Sequence, residues 1–273
     1  MSFCYDMNEY VPTTWTLEHM PLQEALDIFH CQGFSEVEIW ADTVHLDPRA
    51  NPDIGQVKKW LKEYGLKVHS VHAPFRNYKD RPASEEDFLA LRIQMLEKTI
   101  QYAQALECPM MVLHAVDRKE YNYPMAQLET VQEYVGRAVS YGANRGVRIA
   151  IEDVPPGGEP GEIYTTLENQ KKLFQGLDIG FCLDIGHVPL LGADLYREVD
   201  AAGDRLITLH VHNNSGTSDD HNLPTDGIID WPALHDYIRE KGYRGKFVLE
   251  IYGGPDRQRE LEVVQGISGL FGK

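Results

Sequence analysis

The chain has 273 residues, of which 42% are hydrophobic and 25% charged, and this composition is typical of a globular protein with a sizeable core. Its formal net charge of −16 disfavours a nucleic-acid partner, because phosphate binding depends on lysine and arginine. The apolar runs are too short to span a membrane, and residues 1–12 have no basic start or apolar core, so we expect no secretory signal. Four scattered cysteines without a Cys-x-x-Cys pair predict free thiols and a cytoplasmic protein.

Strand-like and helix-like segments alternate along the whole chain. Eight segments have the short apolar pattern of strands, at 2–6, 36–40, 67–72, 110–114, 147–152, 179–184, 206–212 and 246–251. Helical patterns lie between them, at 21–31, 53–64, 85–106, 124–145 and 231–241. Eight such units without a break in composition predict a single (β/α)8 TIM barrel over residues 1–273. An open doubly wound sheet is the alternative, but it would bind ligands at one switch point only.

Several residues have the chemistry of helix ends. Ser84 and Thr165 are each followed three residues later by an acid, so we predict that they are N-caps. Glycines precede four of the predicted strands and are expected to end the helices before them: Gly33, Gly65, Gly146 and Gly242.

Acids and histidines end six of the predicted strands. They are His72, His114, Glu152, Asp184, His210 and Glu250. Side chains alternate faces along a strand, and a TIM barrel builds its active site at the carboxyl ends of its strands. We therefore expect Glu152, Asp184, His210 and Glu250, the core quartet, to converge there. Two Glu, one Asp and one His suit Mn²⁺, Mg²⁺, Co²⁺ or Zn²⁺, and burying these charges without inward Lys or Arg requires a compensating partner.

Five further residues of metal-binding type could join the quartet. They are His72, His114, His187, Asp219 and His221, which we call the outer set. Taken singly, a histidine such as His72 is more often a hydrogen-bonded core residue than a ligand. Together the nine residues exceed what one ion needs and would suffice for two or three. For His212 three alternatives stay open: a ligand, a hydrogen-bonding group for substrate, or a structural residue.

The remaining candidates have simpler interpretations. We expect the other histidines to lie at the surface: His19, His30, His45, His69 and His235. Charged residues after the third strand are interpreted as solvated loop residues rather than a phosphate site: Arg76, Lys79 and Arg81. Trp40 and Tyr252 either wall a sugar pocket or pack at the barrel rim.

From about Gly33 to its carboxyl end, the chain resembles the xylose isomerase-like TIM-barrel superfamily, which includes sugar isomerases and epimerases and endonuclease IV. The resemblance rests on HAP (His72), LH (His114), IED (Glu152), CLDIGH (Asp184, His187), HVHNNSG…DDH (His210, Asp219, His221) and LE (Glu250). It implies that the core quartet binds one metal ion. The zinc-cluster set of endonuclease IV matches all nine residues, which implies two or three Zn²⁺. Asn213 departs from the Asp found in many relatives, which leaves a supporting hydrogen bond in doubt.

The leading hypothesis is a divalent-metal-dependent sugar (phosphate) isomerase or epimerase. Glu152 and Glu250 would be the catalytic base and acid, transferring protons through a metal-stabilised enediolate. The expected partner is a small sugar or sugar-derived substrate, with no membrane and no nucleic acid, and a homo-oligomer stays open. A multinuclear zinc phosphodiesterase or hydrolase of the endonuclease IV type is the main alternative. A lyase or dehydratase on the same barrel, or a binding protein without activity, are the others.

Overall fold

Eight parallel strands form the centre of the molecule in this computed structural model, which describes residues 5–75, 84–116, 128–155 and 165–272. The strands are β1 (Tyr10–Pro12), β2 (Glu36–Trp40), β3 (Lys67–His72), β4 (Met110–His114), β5 (Arg148–Glu152), β6 (Gly180–Asp184), β7 (Leu206–Val211) and β8 (Phe247–Leu249). They lie in the order β1-β8-β7-β6-β5-β4-β3-β2. A parallel bridge between Thr13 and Glu38 joins the two outer strands. The sheet is therefore a nearly closed barrel, and the predicted (β/α)8 fold is confirmed.

Helices surround the barrel. They are α1 (Leu22–Gln32), α2 (Ile54–Tyr64), α3 (Glu85–Ala105), α4 (Leu128–Ala143), α5 (Leu167–Leu173), α6 (His187–Leu190), α7 (Leu195–Ala202), α8 (Trp231–Glu240) and α9 (Arg257–Gly269). Ser84 caps α3 as predicted, since its hydroxyl accepts the N–H of Asp87. The predicted cap at Thr165 is wrong by one residue, because Thr166 accepts the N–H of Asn169 instead. None of the described helices is long and apolar enough to cross a membrane.

The four glycines predicted to end helices all have positive φ, between 66° and 95°. Gly33 and Gly65 donate their backbone N–H to the last turns of α1 and α2 in the left-handed conformation. Only glycine adopts this conformation without strain, so these positions fix where the helices stop.

The first strand is not where the sequence pattern placed it. The predicted strand 2–6 lies partly outside the described residues, Tyr5 and Asp6 are irregular, and Met7–Glu9 form a 3₁₀ helix. The strand is Tyr10–Pro12, which pairs in register with Phe247–Leu249. Three residues ending in proline give no alternating pattern, so only the pairing with β8 defines this strand.

Two histidines expected at the surface are buried. His69 is the extra residue of a register shift between β2 and β3, which turns its ring into the barrel, 3.3 Å from Thr208 Oγ1. His45 lies in the connection after β2, where its Nε2 donates to the carbonyl of Met20. A regular strand pattern predicts neither burial, because His69 lies at a register shift and His45 lies in a connection outside the strands. His19 and His30 are exposed as expected, and His235 is partly buried.

A layer of small and aliphatic side chains fills the barrel below the strand ends. Val112, Ala150 and Cys182 form this layer, with Ile207 packed against it. Arg148 is exposed, and Lys246 pairs with Glu36 at 2.9 Å near the amino-terminal ends of the strands. These two cations thus lie away from the carboxyl ends, where the acids and histidines converge.

Candidate metal centre and active site

The core quartet converges on one ring nitrogen. His210 Nδ1 lies 3.0 Å from Glu152 Oε1, 3.4 Å from Glu250 Oε2 and 4.0 Å from Asp184 Oδ2. The register pairs Asp184 on β6 with His210 on β7, so the two side chains enter the barrel at the same height. All four side chains are buried, and Asp184 Oδ2 has no hydrogen-bond partner among the described residues. A nitrogen and three carboxylates of this kind form a donor set for a divalent cation.

His72 and His114 contact the other oxygen of Glu152. The Nε2 atoms of both rings lie 3.0 Å from Glu152 Oε2. Glu152 therefore lies between the core quartet and this histidine pair. The structure brings together the first two members of the outer set at the quartet.

The other three members of the outer set form a second cluster. His221 Nε2 lies 3.3 Å from Asp219 Oδ1, and His187 Nε2 lies 3.7 Å from Asp219 Oδ2. The His212 ring stacks on His221 with centroids 3.8 Å apart, and its Nε2 lies 2.8 Å from Asp184 Oδ1. The ligand atoms of His187, His212, Asp219 and His221 are close enough together to hold an ion. The clusters are contiguous, since Asp184 contacts both.

Backbone carbonyls fix the tautomers of three histidines. The Nδ1 atom of His72 lies 2.7 Å from the carbonyl oxygen of the next residue, that of His187 lies 2.9 Å from Asp153 O, and that of His221 lies 2.9 Å from Glu250 O. A carbonyl oxygen only accepts, so each Nδ1 carries the hydrogen. In the neutral ring, Nε2 then presents its lone pair to the carboxylates, which is the arrangement typical of histidines that bind metals.

The carboxylates compensate for the burial of the histidines. Burial alone lowers the pKa of His221, but Asp219 and Glu250 outweigh it and raise the pKa to about 9. Burial likewise opposes the charge on His187, but Asp184 and Asp219 raise its pKa well above the ordinary value. In the metal-free cluster, protons on the rings therefore balance the acids. A metal ion would supply the same compensation.

Glu38 is a residue of the site that sequence reasoning missed. It is fully buried beneath the quartet, and its Oε2 accepts from Ser70 Oγ at 2.7 Å and lies 3.4 Å from His210 Nε2. Alternation along EVEIW places Glu36 and Glu38 on one face, and this signal alone could have identified an inward carboxylate. Its contact with a residue 172 positions away appears only in the folded barrel.

The hydrogen bonds of Asn213 explain why this position holds asparagine rather than the aspartate found in many members of the superfamily that the sequence resembles. Its amide nitrogen donates to the carbonyls of Pro224 and Ile229, while its oxygen accepts the N–H groups of Asn214 and Ile229. An aspartate could not donate to the two carbonyls. The amide organises the loop after β7 that carries Asp219 and His221.

A cavity of about 350 Å³ opens above the two clusters. Trp15, Phe75 and Tyr252 supply its aromatic walls, and Glu152, His187, Asp219 and Glu250 are among its polar lining residues. Tyr252 thus walls the cavity, whereas Trp40 is buried and packs against Phe75 at 5.7 Å between ring centroids. Arg76, Lys79 and Arg81 lie outside the described residues.

The family model described as xylose isomerase-like TIM barrel matches residues 26–270. The chain belongs to the xylose isomerase-like TIM-barrel family. The match includes all nine residues of the quartet and the outer set.

Relatives in the xylose isomerase-like family include proteins that act on sugars. The chain is 28% identical to an uncharacterized protein of Sinorhizobium fredii, over 87% of this chain and 86% of the relative. It is 22% identical to fructoselysine 3-epimerase of Shigella flexneri, with 86% of each chain covered. The crystal structure of a D-tagatose 3-epimerase-like protein superposes with a TM-score of 0.78 at 19% identity, over 97% of both chains.

Proposed function

We propose that this protein is a divalent-metal-dependent epimerase of ketose-type sugars. The proposal rests on the convergence of carboxylate oxygens from Glu152, Asp184 and Glu250 on His210 Nδ1. These residues lie at the carboxyl ends of four consecutive strands, below a cavity large enough for a small sugar. The names of two relatives, fructoselysine 3-epimerase and D-tagatose 3-epimerase-like protein, support this reaction class.

The core quartet is the proposed holder of the catalytic metal ion. Three carboxylates and one imidazole fit Mn²⁺, Co²⁺, Mg²⁺ or Zn²⁺, and Asp184 Oδ2 is a buried oxygen without a hydrogen-bond partner among the described residues, available for coordination. When bound, such an ion supplies a Lewis acid that stabilises negative charge developing on the substrate oxygens.

Glu152 and Glu250 are the proposed proton-transfer residues. Both line the cavity, and they approach it from β5 and from the end of β8, which are separated in the barrel by β6 and β7. One carboxylate can therefore remove the proton next to the substrate carbonyl while the other returns a proton to the opposite face. Both oxygens of Glu152 contact histidine nitrogens at 3.0 Å, from His72, His114 and His210, so its carboxylate is held in place.

The lining of the cavity favours a sugar without a phosphate group. Among its described lining residues there is no lysine or arginine, whereas Glu18, Asp219 and Asp220 are present. Acidic groups repel a phosphate and accept hydrogen bonds from sugar hydroxyls. Trp15 and Tyr252 add an aromatic face for the apolar side of a sugar ring or chain.

The proposal is tested by incubating the Mn²⁺-loaded protein in D₂O with ketoses and with the corresponding ketose phosphates. We expect solvent deuterium at the carbon next to the carbonyl of an unphosphorylated ketose, together with its epimer. The Asp184→Asn variant should lose metal and exchange together. Absence of deuterium from every ketose, with Mn²⁺, Co²⁺, Mg²⁺ and Zn²⁺ each supplied, would refute proton transfer on these substrates.

A second candidate is a multinuclear zinc hydrolase acting on a phosphodiester. The observation that favours it is the second cluster, in which His187, Asp219 and His221 direct ligand atoms towards one another beside His212. Elemental analysis of protein purified without added metal separates the candidates: two or three zinc ions per chain favour the hydrolase, and one ion favours the epimerase. The net charge of −16 opposes DNA as substrate, so a nick in abasic-site DNA that Glu250→Gln abolishes would be decisive for the hydrolase.

A further inference from the structure

Glu38 is a charged side chain in the interior of the barrel with no part in proton transfer. It lies on β2, is 0% exposed, and belongs to neither the core quartet nor the outer set. Burying a carboxylate costs several kcal/mol unless other groups compensate. The described Lys and Arg side chains do not supply this compensation. Its nearest polar partners are Ser70 and His210.

Barrel closure does not account for this carboxylate. The bridge that joins β1 to β2 runs between the backbones of Thr13 and Glu38, and the hydroxyl of Thr14 accepts the N–H of Trp40. Neither contact uses the Glu38 side chain. An apolar residue at this position would close the barrel as well, so the carboxylate needs another explanation.

The two nitrogens of His210 face different carboxylates. Nδ1 faces the quartet, with Glu152 Oε1 at 3.0 Å, while Nε2 faces Glu38 Oε2 at 3.4 Å on the opposite edge of the ring. An imidazole that binds a metal through one nitrogen carries its hydrogen on the other. Glu38 is placed to accept that hydrogen, and Nδ1 then presents its lone pair to the quartet.

His210 differs in this respect from three other histidines of the site. The second nitrogens of His72, His187 and His221 face backbone carbonyls. The second nitrogen of His210 faces a carboxylate instead, which orients the ring and also makes it a more basic ligand. Ser70 fixes this acceptor, because its hydroxyl donates at 2.7 Å to the same Glu38 oxygen.

We propose that Glu38 is a positioning residue that accepts the Nε2 hydrogen of His210 and so sets the tautomer in which Nδ1 binds the catalytic metal ion. Ser70, Glu38 and His210 then form one hydrogen-bonded chain from β3 through β2 to β7. This inference rests on the metal site of the proposed function. It adds a residue that controls metal affinity from below the site without touching substrate.

The test is a comparison of Mn²⁺ affinity by calorimetric titration of metal-free full-length protein. Glu38→Gln keeps the size of the side chain and removes its charge, and we expect Mn²⁺ to bind about 10- to 100-fold more weakly. Glu36→Gln is the matched control, since Glu36 lies on the same strand but pairs with Lys246. We expect its Mn²⁺ affinity to equal that of the wild type.

The visible spectrum of bound Co²⁺ gives a readout that a purely structural role would not move. We expect the Co²⁺ bands of Glu38→Gln to shift, because the ring of His210 is no longer held. Wild-type affinity together with a wild-type Co²⁺ spectrum in Glu38→Gln would overturn the inference. Should Glu38→Gln fail to fold, Ser70→Ala provides the same test: a weaker site with a shifted spectrum supports the inference, and an unchanged site overturns it. Wild-type protein that binds neither ion would refute the metal site itself.

Discussion

Gly186, in the Asp-Ile-Gly-His segment after β6, is the position where one methyl group should disturb the second cluster most directly. Its backbone has φ −77° and ψ −26°, which alanine adopts without strain. A Cβ built there lies 2.5 Å from His212 Nδ1 and closer still to two other ring atoms, whereas ordinary contacts begin at 3.4 Å. The His212 ring would therefore have to retreat by about 1 Å or more.

The ring has no free space for this movement. His212 is fully buried, stacks on His221 with centroids 3.8 Å apart, and lies 2.8 Å from Asp184 Oδ1. Overpacking of this kind typically costs about 1–3 kcal/mol, so we expect Gly186→Ala to lower the free energy of unfolding by that amount. Urea unfolding followed by circular dichroism, with a chelator present, measures the loss without any contribution from bound metal.

Two matched variants sharpen this prediction. Gly136→Ala in α4 places its Cβ where nothing lies within 4 Å, so we expect it to stabilise the protein by about 0.5–1 kcal/mol. In a His212→Ala background the clash disappears, and Gly186→Ala should then cost less than about 0.5 kcal/mol. An equal cost in both backgrounds, or no cost in the wild type, would refute this explanation of Gly186.

Three further predictions concern protons and the proposed catalytic residues. Burial lowers the pKa of His45 from 6.5 to about 4. Between these pH values the unfolded chain binds a proton at His45 that the folded protein does not bind. The free energy of unfolding therefore falls as the pH falls from 6.5 towards 4. Over that interval the wild type should lose up to about 3 kcal/mol more than His45→Gln in urea unfolding, and parallel pH curves would contradict this. Burial opposes the charge on His210, but Glu152, Glu250 and Glu38 raise its pKa well above the ordinary value, so metal binding at the quartet must displace a proton at pH 7. Titration in buffers of different ionisation enthalpy should show at least one proton released per chain, and buffer-independent heats would exclude this competition. With Mn²⁺ at saturation, Glu250→Gln should lower the rate of deuterium exchange by about 100-fold or more, and wild-type exchange would remove Glu250 from the proton transfer.

The strand ends of this barrel were predictable because their pattern is local. Alternation along β5 and β7 placed Glu152 and His210 inward, and both side chains do enter the barrel. The bulge that buries His69 and the three-residue strand β1 were not predictable in the same way. Each depends on pairing with a strand distant in sequence, which leaves no periodic trace in the segment itself.

The supporting contacts of the site required the folded structure. His212 was a candidate from the sequence, whereas Glu38 was missed. Neither the packing of the His212 ring against Gly186 nor the position of Glu38 beneath His210 could be predicted. These contacts join residues from different strands, and their distances depend on the tilt and register of the barrel. Candidate metal-binding side chains at strand ends are therefore easier to predict from a sequence than the residues that orient those side chains.

Anomalous diffraction from crystals grown with Mn²⁺ would locate the metal ion that the core quartet is proposed to hold. We expect a manganese peak bounded by Nδ1 of His210 and by carboxylate oxygens of Glu152, Asp184 and Glu250, at the floor of the cavity. A peak confined to the second cluster at His187, or no peak at either cluster when the crystals hold saturating Mn²⁺, would contradict this expectation.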